Sequence, residues 1–86
     1  MLLETVQMAQ EAEKLFETDI NRAVDVFRKV CDLNPYDDMS HMNYGVSLAT
    51  QGNGREGIKW IEKALKINPD NEKAKNSLKL LKQELL

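Results

Sequence analysis

The stretch from Asp38 to Pro69 reads DMSHMNYGVSLATQGNGREGIKWIEKALKINP. Aspartates suited to a helix N-terminus precede an apolar run, Gly52-Asn53-Gly54 interrupts it, and a second periodic segment ends at Asn68-Pro69. The residue before a proline is pushed out of the helical region, so Pro69 ends the second helix. Gly52 and Gly54 offer positive φ at the intervening turn without steric cost. Gly57 and Ala64 lie two helical turns apart and form a small-residue track for the first helix to pack against. Asn34-Pro35 closes the preceding segment in the same way, and Pro35 and Pro69 are 34 residues apart. A fixed period of that length marks a stacked helical repeat.

Tyr44-Gly45, Leu48, Gly57, Ile61, Ala64 and Pro69 together resemble the tetratricopeptide repeat, whose pattern is Trp-x2-Leu-Gly-x2-Tyr, then Ala-x3-Phe, then Pro. His41 stands where the family has Trp, and Gly57 where it usually has Ala. Neither change breaks the logic of close packing. Earlier in the chain, Ala23, Phe27 and Pro35 fit the second half of the pattern, with Val30 in place of the usual Ala. The first half is weaker there, because the turn at Thr18-Asp19 lacks glycine and is one residue shorter. The resemblance implies an all-α chain: a right-handed α-solenoid of two helix-turn-helix hairpins plus a C-terminal capping helix. Residues 1–86 then form a single domain, with a first repeat over 5–37 (degenerate in its first half), a second over 38–71, and the capping helix over 72–86.

The helices can be placed from periodicity alone. Met8, Ala12 and Leu15 make an amphipathic stripe on a helix from Leu2 to about Glu17. Asp19 caps a second helix, Ile20 to about Leu33, with the stripe Ile20, Ala23/Val24, Phe27, Val30/Cys31. Asp37 or Asp38 caps a third, Met39 to about Thr50, which is apolar nearly all round, as expected of a helix sandwiched between neighbours. A fourth, about Arg55 to Ile67, buries Ile58, Ile61, Ala64 and Leu65. The fifth follows Asn71 and carries one narrow stripe, Ala74, Leu78, Leu81 and Leu85, among Lys73, Lys75, Lys79 and Lys82. One apolar stripe and one wet face suit the end of a solenoid.

Composition bounds the function. At 86 residues with 30% charged side chains, the chain is a small globular domain rather than a disordered segment. No apolar run approaches 18 residues, so no membrane insertion is expected. Met-Leu-Leu-Glu at the amino end has neither the basic region nor the apolar core of a secretory signal. With a single cysteine, Cys31, suited to a reducing compartment, the expected location is cytoplasmic. Charge is uneven: residues 1–43 carry nine acidic and four basic side chains, and residues 44–86 carry five and eight. Such a gradient reads first as solvated helix faces.

Catalytic constellations are missing from the sequence. His41, the one histidine, sits at the interhelical aromatic position and reads as a packing residue. Cys31 has no second cysteine for a metal, no CxxC or HExxH spacing occurs, and Gly52-Asn53-Gly54 lacks the Lys-Ser/Thr of a phosphate loop. No enzyme, cofactor or metal is therefore expected. Only Trp60 lies among the lysines of the last two helices, so stacking platforms for nucleic acid are lacking.

The resemblance implies a non-catalytic protein–protein interaction module that receives a peptide or partner helix in a concave groove. That groove is lined by the first helix of each hairpin. Carried onto this chain, its positions are Gln10, Glu13 and Glu17, then Met39, Met42, Asn43, Val46 and Thr50, then Lys73, Asn76 and Ser77. Met39 and Met42 read equally as adaptable contacts or as filling of the sandwich. One subclass clamps a chaperone's C-terminal carboxylate with two Lys, two Asn and an Arg. Asn43 and Lys73 fall on two of those five positions, but Ala9, Glu13 and Ser77 hold the others, and a glutamate there opposes a carboxylate. The chaperone clamp is rejected. The alternative reading is a structural self-associating unit or a fragment of a longer array, with weak, salt-sensitive association between its acidic and basic halves.

Overall fold

The structure, a computed structural model, describes residues 2–84. It contains the helices α1 Leu3–Thr18, α2 Ile20–Leu33, α3 Asp38–Thr50, α4 Gly54–Ile67 and α5 Glu72–Glu84, and no strand among the described residues. Helix α1 packs on α2 and α3 on α4, giving two hairpins; α2 packs on α3, and α5 packs on α4 and α3. Leu85, the last member of the expected α5 stripe, lies outside the described residues.

The helix ends follow their local chemistry. Asp19 accepts a hydrogen bond from the Arg22 backbone N–H at 3.2 Å, and Asp37 accepts from Ser40 N–H at 3.0 Å, so Asp37 rather than Asp38 caps α3. Asn71, 34 residues after Asp37, caps α5 by accepting from Ala74 N–H at 2.9 Å. The α3 end is a Schellman motif: Asn53 N–H donates to the Leu48 carbonyl at 2.8 Å and Gly52 N–H to Ala49 at 3.1 Å. Gly52 takes φ 107° to make this turn. Gly54 does not share that role, contrary to expectation; it is the first residue of α4 and has no positive φ.

The two Asn-Pro stops differ. Asn34 Nδ2 bonds back to its own helix, at the Val30 carbonyl, 3.1 Å. Asn68 Nδ2 instead crosses to Asp38 Oδ2 at 3.0 Å, and Asn71 Nδ2 reaches the same oxygen at 2.8 Å. One carboxylate at the start of α3 thus ties down the turn between α4 and α5.

Helix α3 serves two apolar clusters. Tyr44 and Leu48 join Ala12, Ala23, Val24, Phe27 and Cys31, with Leu15, Phe16 and Trp60 at the edge. Met42 joins Ile61, Ala64 and Ala74, with Val46, Leu65, Leu78 and Leu81 around them. This is the sandwiched helix that the sequence implies. Its buried serines are satisfied, Ser47 Oγ donating to the Tyr44 carbonyl at 2.7 Å and Ser40 Oγ to Asp37. Some expected core positions are only half-buried: Met8, Leu15, Ile20, Ile58, Leu65, Leu78 and Leu81 lie at the edges of a stack too thin to enclose them. Thr5, outside every expected stripe, is buried.

Candidate functional site

The first helices of the hairpins and α5 enclose a hollow of about 470 Å³. Glu13, Phe16 and Glu17 come from α1, Met42, Asn43 and Val46 from α3, and Lys73, Asn76 and Ser77 from α5. Phe27 of α2 reaches between α1 and α3 to form part of the floor. A smaller hollow of about 260 Å³ shares Val46 and Ser77 with the first and continues over Ala49, Thr50, Leu80, Leu81 and Glu84. The two make one trough running along α3.

Register explains the lining. Asn43 and Val46 are three residues apart on α3, as are Lys73 and Asn76 on α5, so each pair shares a helix face. Gly45, two positions after Asn43, points the opposite way and meets α4. The close hairpin contact and the open groove face are thus two sides of one helix.

Of the expected groove residues, Glu13, Glu17, Met42, Asn43, Val46, Lys73, Asn76 and Ser77 line the larger hollow. Thr50 lines the smaller, its hydroxyl donating to the Val46 carbonyl at 2.9 Å. Gln10 is exposed on α1 and lines neither. Met39 is also outside both hollows; its sulfur lies 3.5 Å from Asn71 Nδ2, at the cap of α5. Phe16 and Phe27 were not expected in the groove. Phe16 sits three residues after Glu13 and directly before Glu17, on the face that those glutamates define, and this spacing is the signal that could have placed it.

Two carboxamides beside the trough are unengaged. Among the described residues, the side-chain amides of Asn43 and Asn76 make no hydrogen bond to the protein. A carboxamide both donates and accepts, so each can pair with a ligand's backbone.

The groups that could carry covalent or metal chemistry are engaged elsewhere. The Cys31 thiol is buried and donates to the Ser40 carbonyl at 3.0 Å. Burial, then the Asp32 and Asp37 carboxylates, push its pKa up to about 12, so the nucleophilic thiolate is scarce at neutral pH. His41 is buried with Nδ1 2.9 Å from the Asp37 carbonyl, and its ring lies 5.6 Å from Trp60. Trp60 also meets Tyr44 edge-on at 4.8 Å and carries Lys63 Nζ 4.0 Å from its centre. His41 is therefore part of an aromatic seam between α3 and α4. No group of three or more His, Cys, Asp or Glu side chains could hold a metal among the described residues.

The model of the tetratricopeptide repeat family matches residues 40–71. This segment is a tetratricopeptide repeat. It spans α3 and α4 with the turns that bound them, and in it Gly45, Gly57, Ile61 and Ala64 occupy the helix–helix contact. Tetratricopeptide repeats typically mediate protein–protein interaction. No curated protein matches the chain. No helix among the described residues is long and apolar enough to cross a membrane.

Proposed function

We propose that this chain is a non-catalytic interaction module that takes a peptide or a partner helix in the trough between α1, α3 and α5. One observation carries the reading. An apolar floor of Phe16, Phe27, Met42 and Val46 lies beside the Asn43 and Asn76 carboxamides, which have no hydrogen-bond partner among the described residues. Its volume of about 470 Å³ falls within the roughly 300–1,000 Å³ of ordinary ligand pockets, and apolar lining with a few convergent polar groups is their usual composition. Residues 5–37 would supply one wall as a first repeat and residues 72–86 the other as a capping helix.

The test is an affinity capture with the intact chain beside a Val46→Lys variant, which places a charge on the floor without touching the Gly45–Gly57 contact. A partner retained by the parent and lost by the variant supports the groove. Equal retention by both would move the interaction to another surface.

A second reading, self-association or membership in a longer array, draws on a different observation. Leu2 and Leu3 are 72% and 69% exposed at one end of the chain, while Lys75, Lys79 and Lys82 are exposed on the last helix. Light scattering over a concentration series at low and high salt separates the two readings, since contacts between exposed charges are screened beyond about 10 Å at 0.1 M salt.

A further inference from the structure

The facing walls of the trough carry opposite charge. On α1, Glu13 and Glu17 stand one helical turn apart, with about 5–6 Å between their Cβ atoms. Both are exposed, and neither has an ion-pair partner among the described residues. On α5, Lys73 is exposed and equally unpaired, while its neighbour Lys75 is held by Glu72 at 3.3 Å. The apolar floor, with Phe16 and Phe27, separates the two signs. Among the described residues, no ion pair neutralises either wall.

Resting on the groove reading above, we propose that the occupant is a protein segment of defined polarity. A bulky apolar side chain enters the floor, two Lys or Arg side chains about one helical turn apart face Glu13 and Glu17, and a carboxylate faces Lys73. The apolar insertion supplies most of the affinity, because exposed ion pairs are individually weak. The charges supply selection. A segment entering in the reverse sense, or an acidic tail, sets like charges against α1, and such repulsion discriminates partners more strongly than the matched pairs attract them. The same argument disfavours nucleic acid in the trough, where its phosphates would meet the two glutamates.

The experiment pans a displayed library of short random peptides against the intact chain and against the double variant E13K/E17K. Both positions are exposed, so the variant retains the fold, checked by far-ultraviolet circular dichroism. Peptides selected on the parent should carry paired basic residues beside a bulky apolar one. They should shift the backbone amide resonances of Asn43 and Val46, and should bind E13K/E17K about five- to tenfold more weakly. Peptides selected on the variant should carry acidic residues at the same places. If selected peptides shift those amides but show no basic enrichment and bind both proteins equally, the charge assignment is overturned while the groove stands. If they leave those amides unmoved, or compete with self-association of the chain, groove and assignment fall together.

Discussion

Gly45 and Gly57 meet backbone to backbone across the α3–α4 hairpin. A Cβ added to Gly45 would come within 2.7 Å of the Gly57 carbonyl oxygen and 2.8 Å of Ile61 Cγ1, and one added to Gly57 would collide with the Gly45 carbonyl oxygen. Gly45→Ala gains helix propensity of about 1 kcal/mol. The overlap is with backbone, which cannot turn aside, and overpacking of this kind costs about 1–3 kcal/mol or more. The net expectation is destabilisation, read as a lower urea midpoint with an unchanged slope. A variant as stable as the parent would mean the helices are further apart than described.

Asn71 serves two elements at once, capping α5 and donating to Asp38. Loss of an N-cap costs about 0.5–2 kcal/mol. Asn71→Ala should therefore destabilise by about 1–2 kcal/mol and speed hydrogen exchange most in the first turn of α5. Asn71→Asp keeps the cap but sets a second carboxylate against Asp38, so it should restore little of the loss at neutral pH. Full recovery by Asp would show that the link to α3 contributes nothing.

Cys31 gives the pH prediction. Its thiol ordinarily titrates at 9.0 and in the folded protein is pushed up to about 12, chiefly by burial. In the unfolded chain it releases its proton from about pH 9, while the folded chain keeps it, so the unfolded state binds fewer protons over that interval. Its contribution is complete below pH 9 and is lost as pH rises toward 12, with a slope of at most about 1.4 kcal/mol per pH unit. The Tyr44 phenol, raised from 10.0 mainly by burial, adds a loss of the same sign. Cys31→Ala should flatten the alkaline decline in melting temperature, and the native thiol should resist alkylation until the protein is unfolded. Rapid labelling of the native protein at neutral pH would contradict the burial.

The groove can be probed without disturbing the core. Asn43→Ala removes a free carboxamide from a half-buried position. If it pairs with a ligand's backbone, affinity should fall about three- to tenfold, the equivalent of one hydrogen bond. The melting temperature should stay within a degree or so of the parent's, because the Asn43 side chain makes no hydrogen bond among the described residues. Unchanged affinity in a calorimetric titration with the captured partner would remove Asn43 from the interface.

The hairpin of residues 40–71 was legible because its signals are local: a cap at Asp37, Gly52 at the turn, Gly45 and Gly57 where backbones meet, and a proline stop. The bond from Asn68 and Asn71 to Asp38 was not, since it joins residues 30 and 33 positions apart through side chains whose local preference is for turns. The two phenylalanines in the groove were missed for a related reason. Phe27 satisfies the repeat's packing position and also faces the trough, and no one-dimensional pattern shows a side chain doing both. The resemblance carried Met39 into the groove, yet its neighbour is the cap of α5. Half-buried Ile58 and Leu65 show the limit of periodicity: it finds the apolar face, while the thickness of the next layer decides how deeply that face is covered.

Helix α1 rests mainly on α2, whereas α5 is gripped by α3 and α4. The two jaws of the trough are therefore unequal, one hung chiefly on α2 through the one-residue joint at Asp19 and the other anchored twice. In a stack where each element depends on the next, the outermost element frays first. A segment laid from Glu13 to Lys73 would bridge parts of the chain that share no other direct strap, making the opening of either end depend on the other. Occupancy would then be felt as cooperativity, with the two ends of the solenoid melting together instead of separately.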